Sequence, residues 1–178
     1  MYKSYAGIGS RSTPENILDI MTRLGEKLSG EGWTLRSGGA TGADNAFWQG
    51  AMNHSNNIDN VEIFLPWNRF NNHDTRNAGM CDATLLPNWN DALRMAERYH
   101  PAWHKLKQGG RKLQARNCYQ VLGQDLDTPA KFIVCWTPGG ADIGGTGQAL
   151  RMAIDYDVRI YNLGNAIDLN RIINWLNK

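Results

Sequence analysis

Three times in this chain an apolar run of strand length passes straight into a glycine-rich turn and then into residues with helical spacing. Tyr5-Ala-Gly-Ile-Gly9 leads to Ser10-Arg-Ser-Thr-Pro14. Trp33-Thr-Leu-Arg36 leads to Ser37-Gly-Gly-Ala-Thr-Gly-Ala-Asp44. Phe132-Ile-Val-Cys-Trp136 leads to a stretch from Thr137 to Arg151 that holds five glycines between Gly139 and Gly147. A strand that ends in glycines and opens a helix leaves backbone N–H groups uncovered, and the helix N-terminus adds a partial positive charge. The natural guest of such a turn is an anion, most often phosphate. A solvated glycine loop has the same composition, so the weight rests on the repetition at three strand ends.

The rest of the chain continues the alternation of strand and helix. Thr13 then Pro14 predicts an N-cap and a first helical turn, followed by a stripe of Ile17, Leu18, Met21, Leu24 and Leu28 up to Gly30. A helix is expected from the second junction to about Met52, then a polar loop over residues 53–60 and a strand Val61-Glu-Ile-Phe-Leu65. Ala83-Thr-Leu-Leu86 reads as a short strand, Asp91 to Tyr99 as a helix, and Pro101 to Leu106 as another that Gly109-Gly110 breaks. Arg111 to Leu122 is a further helix. After the third junction come a helix from Gln148 to Tyr156, a strand Val158 to Asn162 and a helix from Asp168 to Leu176. This is the pattern of an α/β, Rossmann-like, doubly wound and mostly parallel sheet with helices on both faces, in one domain over residues 1–178. Ligands of such sheets sit beyond the carboxyl ends of the strands, where all three junctions should gather.

Composition narrows the class. Apolar residues make up 42% and charged residues 20% of 178, the balance of an ordinary globular domain. No run approaches the roughly 20 apolar residues of a membrane span, and the N-terminal residues carry no signal-like apolar core, so a cytoplasmic location with no membrane partner is expected. Cys81, Cys118 and Cys135 are odd in number and lack CxxC spacing, which suggests neither a disulfide framework nor a zinc site. Net charge is only +2, and the densest basic group is Lys105, Lys107, Arg111, Lys112 and Arg116. Of seven tryptophans, Trp33, Trp136 and Trp175 are expected in the core; Trp48, Trp67, Trp89 and Trp103 are placed to flank a pocket or an oligomer interface.

The junctions differ in chemistry from a dinucleotide fingerprint. Gly7-Ile-Gly9-Ser-Arg-Ser12 lacks the third glycine, and the second strand ends in Arg36-Ser37 rather than an acid that would hold a ribose. Ser10 and Arg11 instead offer a hydroxyl and a guanidinium fork, for a phosphate or, in Arg11's case, for a surface acid. Asp44 suits a ribose hydroxyl or the cap of its own helix. There is no Walker lysine and no Gly-x-Ser-x-Gly elbow. His100 and His104 share a helix face at i, i+4 but have no third ligand at suggestive spacing, so no metal and no resident cofactor are expected.

Gly9-Ser10-Arg11, the Ser37–Asp44 junction with Ala51 downstream, Arg116-Asn117, and Pro138-Gly-Gly followed by Gly145-Thr146 together resemble the SLOG superfamily, nearly from end to end. That group joins the Rossmann domain of DNA-processing protein A (DprA) to the LOG phosphoribohydrolases, and the short stand-alone DprA-like proteins of phages look most similar. The resemblance implies a Rossmann-like fold, frequent dimers or larger oligomers, and a pocket for a nucleotide-derived small molecule. Carried onto this sequence, it implies ligand contacts at Gly9, Ser10, Arg11, Ser37, Gly38, Gly39, Asp44, Arg116, Asn117, Pro138, Gly139, Gly144, Gly145, Thr146, Gly147 and Gln148. Arg76 and Met80 also mimic the LOG Arg-x-x-x-Met pattern, but lie far upstream of Pro138.

LOG enzymes place a glutamate where this chain has Gln148. An amide orients a ribose or a water but does not ionise, so general acid–base help of about 10²–10⁴-fold is missing. Asp44, Asp142 and Glu62 are the acids that could replace it; Gln148 and Arg116 are the candidate catalytic residues. The expectation is therefore a protein that holds a nucleotide or ADP-ribose-like ligand, as a sensor or a sequestering protein does. The alternatives are a nucleoside-monophosphate N-glycosidase and a DprA-like binder of single-stranded DNA, the last using the basic group from Lys105 to Arg116 with Trp103 stacking on bases.

Overall fold

Two short strands that are buried on both faces form the centre of the molecule: β1 (Ser4–Gly7) and β2 (Thr34–Ser37). Strands covered on both sides need helices above and below, which is the condition for an all-parallel sheet. The computed structural model describes residues 2–54 and 60–178. Four more strands join the first two: β3 (Val61–Leu65), β4 (Met80–Asp82), β5 (Phe132–Cys135) and β6 (Arg159–Asn162). Their order is β4-β3-β2-β1-β5-β6, and every pairing is parallel. The fold is a Rossmann-like α/β sheet.

The helices are α1 (Glu15–Gly30), α2 (Ala43–Asn53), α3 (Trp89–Tyr99), α4 (Gln108–Leu122), α5 (Gly144–Asp155) and α6 (Ala166–Leu176). Helices α1, α2 and α6 share one core with Leu35, Ile63 and Val134, built on Met21, Leu24, Leu28 and Phe47. Helices α3, α4 and α5 share the other, built on Tyr119, Leu122, Leu150 and Ala153 against Phe64 and Ile133. Truncating one of these fully buried side chains to Ala costs about 2–5 kcal/mol. From β1 the chain winds outward through β2 and β3 to β4, then crosses back through α3 and α4 to β5. The winding reverses between β1 and β5, and a crevice opens beyond their carboxyl ends.

Several elements differ from the reading of the sequence. The fourth strand is Met80–Asp82, and Ala83–Leu85 is a 3-10 turn. Asp82 starts that turn by accepting from the Thr84 amide at 2.9 Å and the Thr84 hydroxyl at 2.6 Å, which pulls the backbone out of the sheet. Residues 101–106 form only a 3-10 turn at Trp103–Lys105. Gly109 and Gly110 do not break a helix but lie in the first turn of α4, where Leu106 packs 3.4 Å from the position a Gly110 side chain would take. The glycines Gly144, Gly145 and Gly147 are themselves the first turn of α5, so that helix begins four residues before Gln148. Thr13 does not cap α1; its hydroxyl donates to the Ser10 carbonyl at 2.7 Å, and Pro14 takes the cap position. Of the polar loop expected over residues 53–60, residues 55–59 lie outside the described residues. Trp33, Trp136 and Trp175 edge the first core half-buried, while Trp48, Trp89 and Trp103 also pack against the cores; Trp67 alone of the seven is exposed, at 37%. No helix among the described residues is long and apolar enough to cross a membrane.

Candidate ligand cleft at the switch point

The crevice between β1 and β5 is a cleft of about 450 Å³. Its floor and one wall come from the β1 exit, Ile8 to Ser12. The opposite wall is the β5 exit, Thr137 and Pro138, with the start of α5 from Ile143 to Thr146. Helix α4 closes the back with Leu113, Gln114, Arg116, Asn117 and Gln120, and the β2 exit adds Ala40 and Asp44.

At the back, a buried ion pair organises the second junction. Arg116 Nη1 donates to Asp44 Oδ2 at 3.3 Å, with the two side chains 5% and 4% exposed. The same Asp44 oxygen accepts from the amides of Gly38 at 3.2 Å and Ala40 at 3.3 Å, so Asp44 pins the turn that precedes its own helix. Burial lifts the Asp44 carboxyl above its ordinary value, while Arg116 and the Ala40 and Gly38 amides pull it the other way. Burial likewise lowers Arg116, and Asp44 opposes that. The guanidinium rests 5.9 Å from the Phe70 ring centroid. Gln120, with its amide oxygen toward this pair, accepts from Arg116 Nη1 at 2.9 Å and from the Gly38 amide at 2.7 Å, and donates to Asn117 Oδ1 at 3.0 Å. Gly38 is glycine for a steric reason: a Cβ there would fall inside the Arg116 guanidinium. The Arg116 Nε is buried with no partner among the described residues.

At the front, the first turn of α5 is open. Gly147 N donates to the Ile143 carbonyl at 3.2 Å, but the amides of Gly144, Gly145 and Thr146 have no acceptor among the described residues. Those are the unsatisfied donors of a helix start, with its partial positive charge. The turn is held from two sides. Asn117 Nδ2 donates to the Gly145 carbonyl at 3.1 Å and to Gln148 Oε1 at 3.4 Å. Arg151 reaches back to the Asp142 carbonyl at 3.0 Å and to the Tyr99 carbonyl at 2.8 Å. Across the cleft, Arg11 is exposed and makes no ion pair among the described residues. Ser10 turns its hydroxyl to Ser12, at 2.8 Å from the Ser12 hydroxyl and 3.1 Å from the Ser12 amide.

The structure brings together Gly9, Ser10, Arg11, Asp44, Arg116, Asn117, Pro138, Gly144, Gly145 and Thr146 on one cleft. It places the other sequence-derived candidates elsewhere. Ser37 donates to the Gly7 carbonyl at 2.6 Å, tying β2 to β1. Gly38 lies beneath Arg116, Gly39 against Leu65 and His73, and Gly147 against the Asp142 carbonyl; Gly139 belongs to the 3-10 turn Pro138–Gly140. Gln148 is fully buried: besides Asn117 it meets Cys118 Sγ at 3.7 Å. Its amide orients Asn117 rather than facing the cleft. Arg76 is exposed and paired with Asp74, and Glu62 bonds Arg36; neither they nor Asp142 line the cleft. Leu113, Gln114 and Gln120 line it but lie outside every junction read from the sequence, while Ile8, Ser12, Ala40, Thr137 and Ile143 line it from within those junctions without having been singled out. The signal available for two of them was the spacing Gln114, Asn117, Gln120, which sets amides three residues apart on one face of a helix whose neighbours are apolar.

Among the described residues no group of His, Cys, Asp and Glu is arranged to hold a metal ion. No family model matches the chain, and no curated protein matches it. Among solved structures the chain is similar to DNA processing protein A from Helicobacter pylori, a protein described for its single-stranded DNA binding mode. The TM-score is 0.60 and the identity 18%, over 98% of this chain and 79% of that one. Two structures this similar at so low an identity share a fold, here the Rossmann-like parallel α/β sheet.

Proposed function

We propose that the cleft binds a nucleotide or a nucleotide-derived molecule through its phosphate, and that the protein holds this ligand without cleaving it. The observation that carries the reading is the open first turn of α5 facing an uncommitted Arg11 across a cleft of about 450 Å³. Three unpaired amides, a helix dipole and one guanidinium are the ordinary receptor for a phosphate. Ile8, Leu113, Pro138 and Ile143 supply apolar surface for a base. Turnover lacks a free acid: Asp44 is the one carboxylate among the lining residues, and Arg116 and two backbone amides already engage it. Gln148 stands inside the protein, where it neither ionises nor reaches a substrate. This favours binding over the N-glycosidase alternative.

Thermal unfolding with a panel of nucleoside mono-, di- and triphosphates, nicotinamide dinucleotides and ADP-ribose tests the reading. A ligand at a hundred times its Kd stabilises by about 2.7 kcal/mol, a rise of roughly 5–10 °C for a domain this size. A panel with no such rise refutes the reading, and free base released from a nucleotide refutes its second half.

Single-stranded DNA binding is the second reading, and a separate surface favours it. Trp89, Arg94, Trp103, Arg111 and Lys112, with one acid, Glu97, line a groove of about 340 Å³ between α3 and α4, where Arg111 sits 5.4 Å over the Trp103 ring. Exposed Lys105 and Lys107 flank it, whereas Arg116 is withdrawn into its pair with Asp44. The structural likeness to DprA adds to this reading. It predicts oligonucleotide affinity that falls steeply with salt; affinity that is weak and indifferent to salt removes it.

A further inference from the structure

Helix α4 presents to the cleft a side chain that none of the contacts above explains. Gln114 lines the cleft at the base of the open α5 turn, and the residue is only 8% exposed. Its Oε1 is buried with no hydrogen-bond partner among the described residues. Its Nε2 makes no hydrogen bond within the described residues and stands 3.3 Å from the position a Gly145 side chain would occupy. An amide so deeply buried is ordinarily bonded at both ends, because an orphaned buried polar atom costs free energy. Gly145, having no side chain, leaves the Gln114 NH₂ group open to the same small volume that the free amides of Gly144, Gly145 and Thr146 surround. Asn117, one turn along α4, holds the Gly145 carbonyl away from that volume.

We propose that Gln114 is a ligand-binding residue that donates through Nε2 to the phosphate held at the α5 turn, and that this neutral donor makes the cleft select phosphorylated ligands. The proposal rests on the nucleotide reading above. It supplies a side-chain donor, Nε2, beside three backbone donors, and leaves the Oε1 acceptor for a donor group of the ligand or solvent. A carboxylate of the same shape would reverse that: Gln114→Glu places negative charge against the phosphate, whereas Gln114→Leu only removes the donor.

The experiment is calorimetric titration of the whole chain with two probes, adenosine 5′-monophosphate and inorganic phosphate. Gln114→Leu should weaken both by roughly tenfold and Gln114→Glu by roughly a hundredfold or more, the range for a hydrogen bond to a charged group. Equal weakening of both probes assigns the contact to phosphate. Weakening of the nucleotide alone, or of neither, overturns the proposal while leaving the cleft reading intact. A wild-type chain that binds neither probe overturns the proposal, while the cleft reading is decided by the nucleotide panel. Should Gln114→Glu fail to fold, Gln114→Leu decides by the same criterion.

Discussion

Replacing Gly38 with alanine is a change of one methyl group that the structure turns into the loss of an ion pair. A Cβ at this position would overlap the Arg116 guanidinium and lie 2.5 Å from the Gln120 side-chain amide. The φ of Gly38 is not in the left-handed region, so by backbone freedom alone the substitution would stabilise by about 0.4–1 kcal/mol. The steric term dominates. The guanidinium is 5% exposed between Asp44, Gln120 and Phe70, and relieving the overlap moves it off Asp44. Asp44 is then a buried carboxylate with two backbone amides and no cation. Breaking one partner from a buried pair costs about 3–5 kcal/mol, which for a domain of this size lowers the melting temperature by roughly 6–20 °C. The assay is a double-mutant cycle by urea unfolding. Gly38→Ala alone should cost about 3–5 kcal/mol, while in an Arg116→Ala background, where no guanidinium remains to be displaced, it should cost less than about 1 kcal/mol. Additive costs in the two backgrounds would refute the claim that Gly38 exists to admit Arg116.

Three further outcomes are expected. Arg11→Ala should leave stability within about 0.5 kcal/mol, because the side chain is exposed and makes no ion pair among the described residues, yet weaken a phosphorylated ligand by roughly ten- to a hundredfold in calorimetry; unchanged affinity would remove Arg11 from the site. Asn162→Ala should destabilise by about 2–4 kcal/mol in denaturant unfolding, since it leaves the buried Thr137 amide and hydroxyl and the part-buried Gly164 amide without their partner at the cleft wall; a neutral effect would show that water replaces the side chain. Partial burial holds His73 below its ordinary 6.5, against a smaller opposing pull from Asp44. A lowered folded-state value means that protonation favours the unfolded chain, so its contribution is complete above about pH 6.5 and is lost as pH falls below it. The denaturation midpoint should fall between pH 7.5 and 5, and less steeply in His73→Gln, where the slope owed to His100, also lowered by burial, remains; identical slopes would contradict the assignment.

The alternation of apolar runs with glycine turns and helical stripes made the parallel sheet legible, because a strand buried on both faces and a helix buried on one leave different periods in the sequence. The junctions were legible for the same reason, since glycines at strand ends have few other uses. What the sequence concealed was which glycines face the cleft and which face the protein. Gly38 and Gly145 read alike, but one admits Arg116 and the other opens on the cleft. Gln148 was misleading in a related way. A polar residue directly after a phosphate-type loop reads as a ligand contact, yet α5 begins at Gly144 and turns position 148 inward, onto Asn117. The contribution of α4 was hidden because its residues are distant in sequence from every junction and reach the cleft only through the crossover from β4 to β5. Local propensity also misplaced the segment around Gly109 and Gly110, where packing by Leu106 outweighs the cost of glycine in a first helical turn.

The central claim is that the open turn of α5 is an anion site, and amide chemical shifts report it atom by atom. Titration of the ¹⁵N-labelled chain with adenosine 5′-monophosphate should move the signals of Gly144, Gly145 and Thr146 first and furthest, with the Arg11 side chain following, and inorganic phosphate should reproduce the shifts of the α5 turn. Shifts confined to the groove around Trp103 and Arg111, or no saturable shift in the α5 turn, would contradict it.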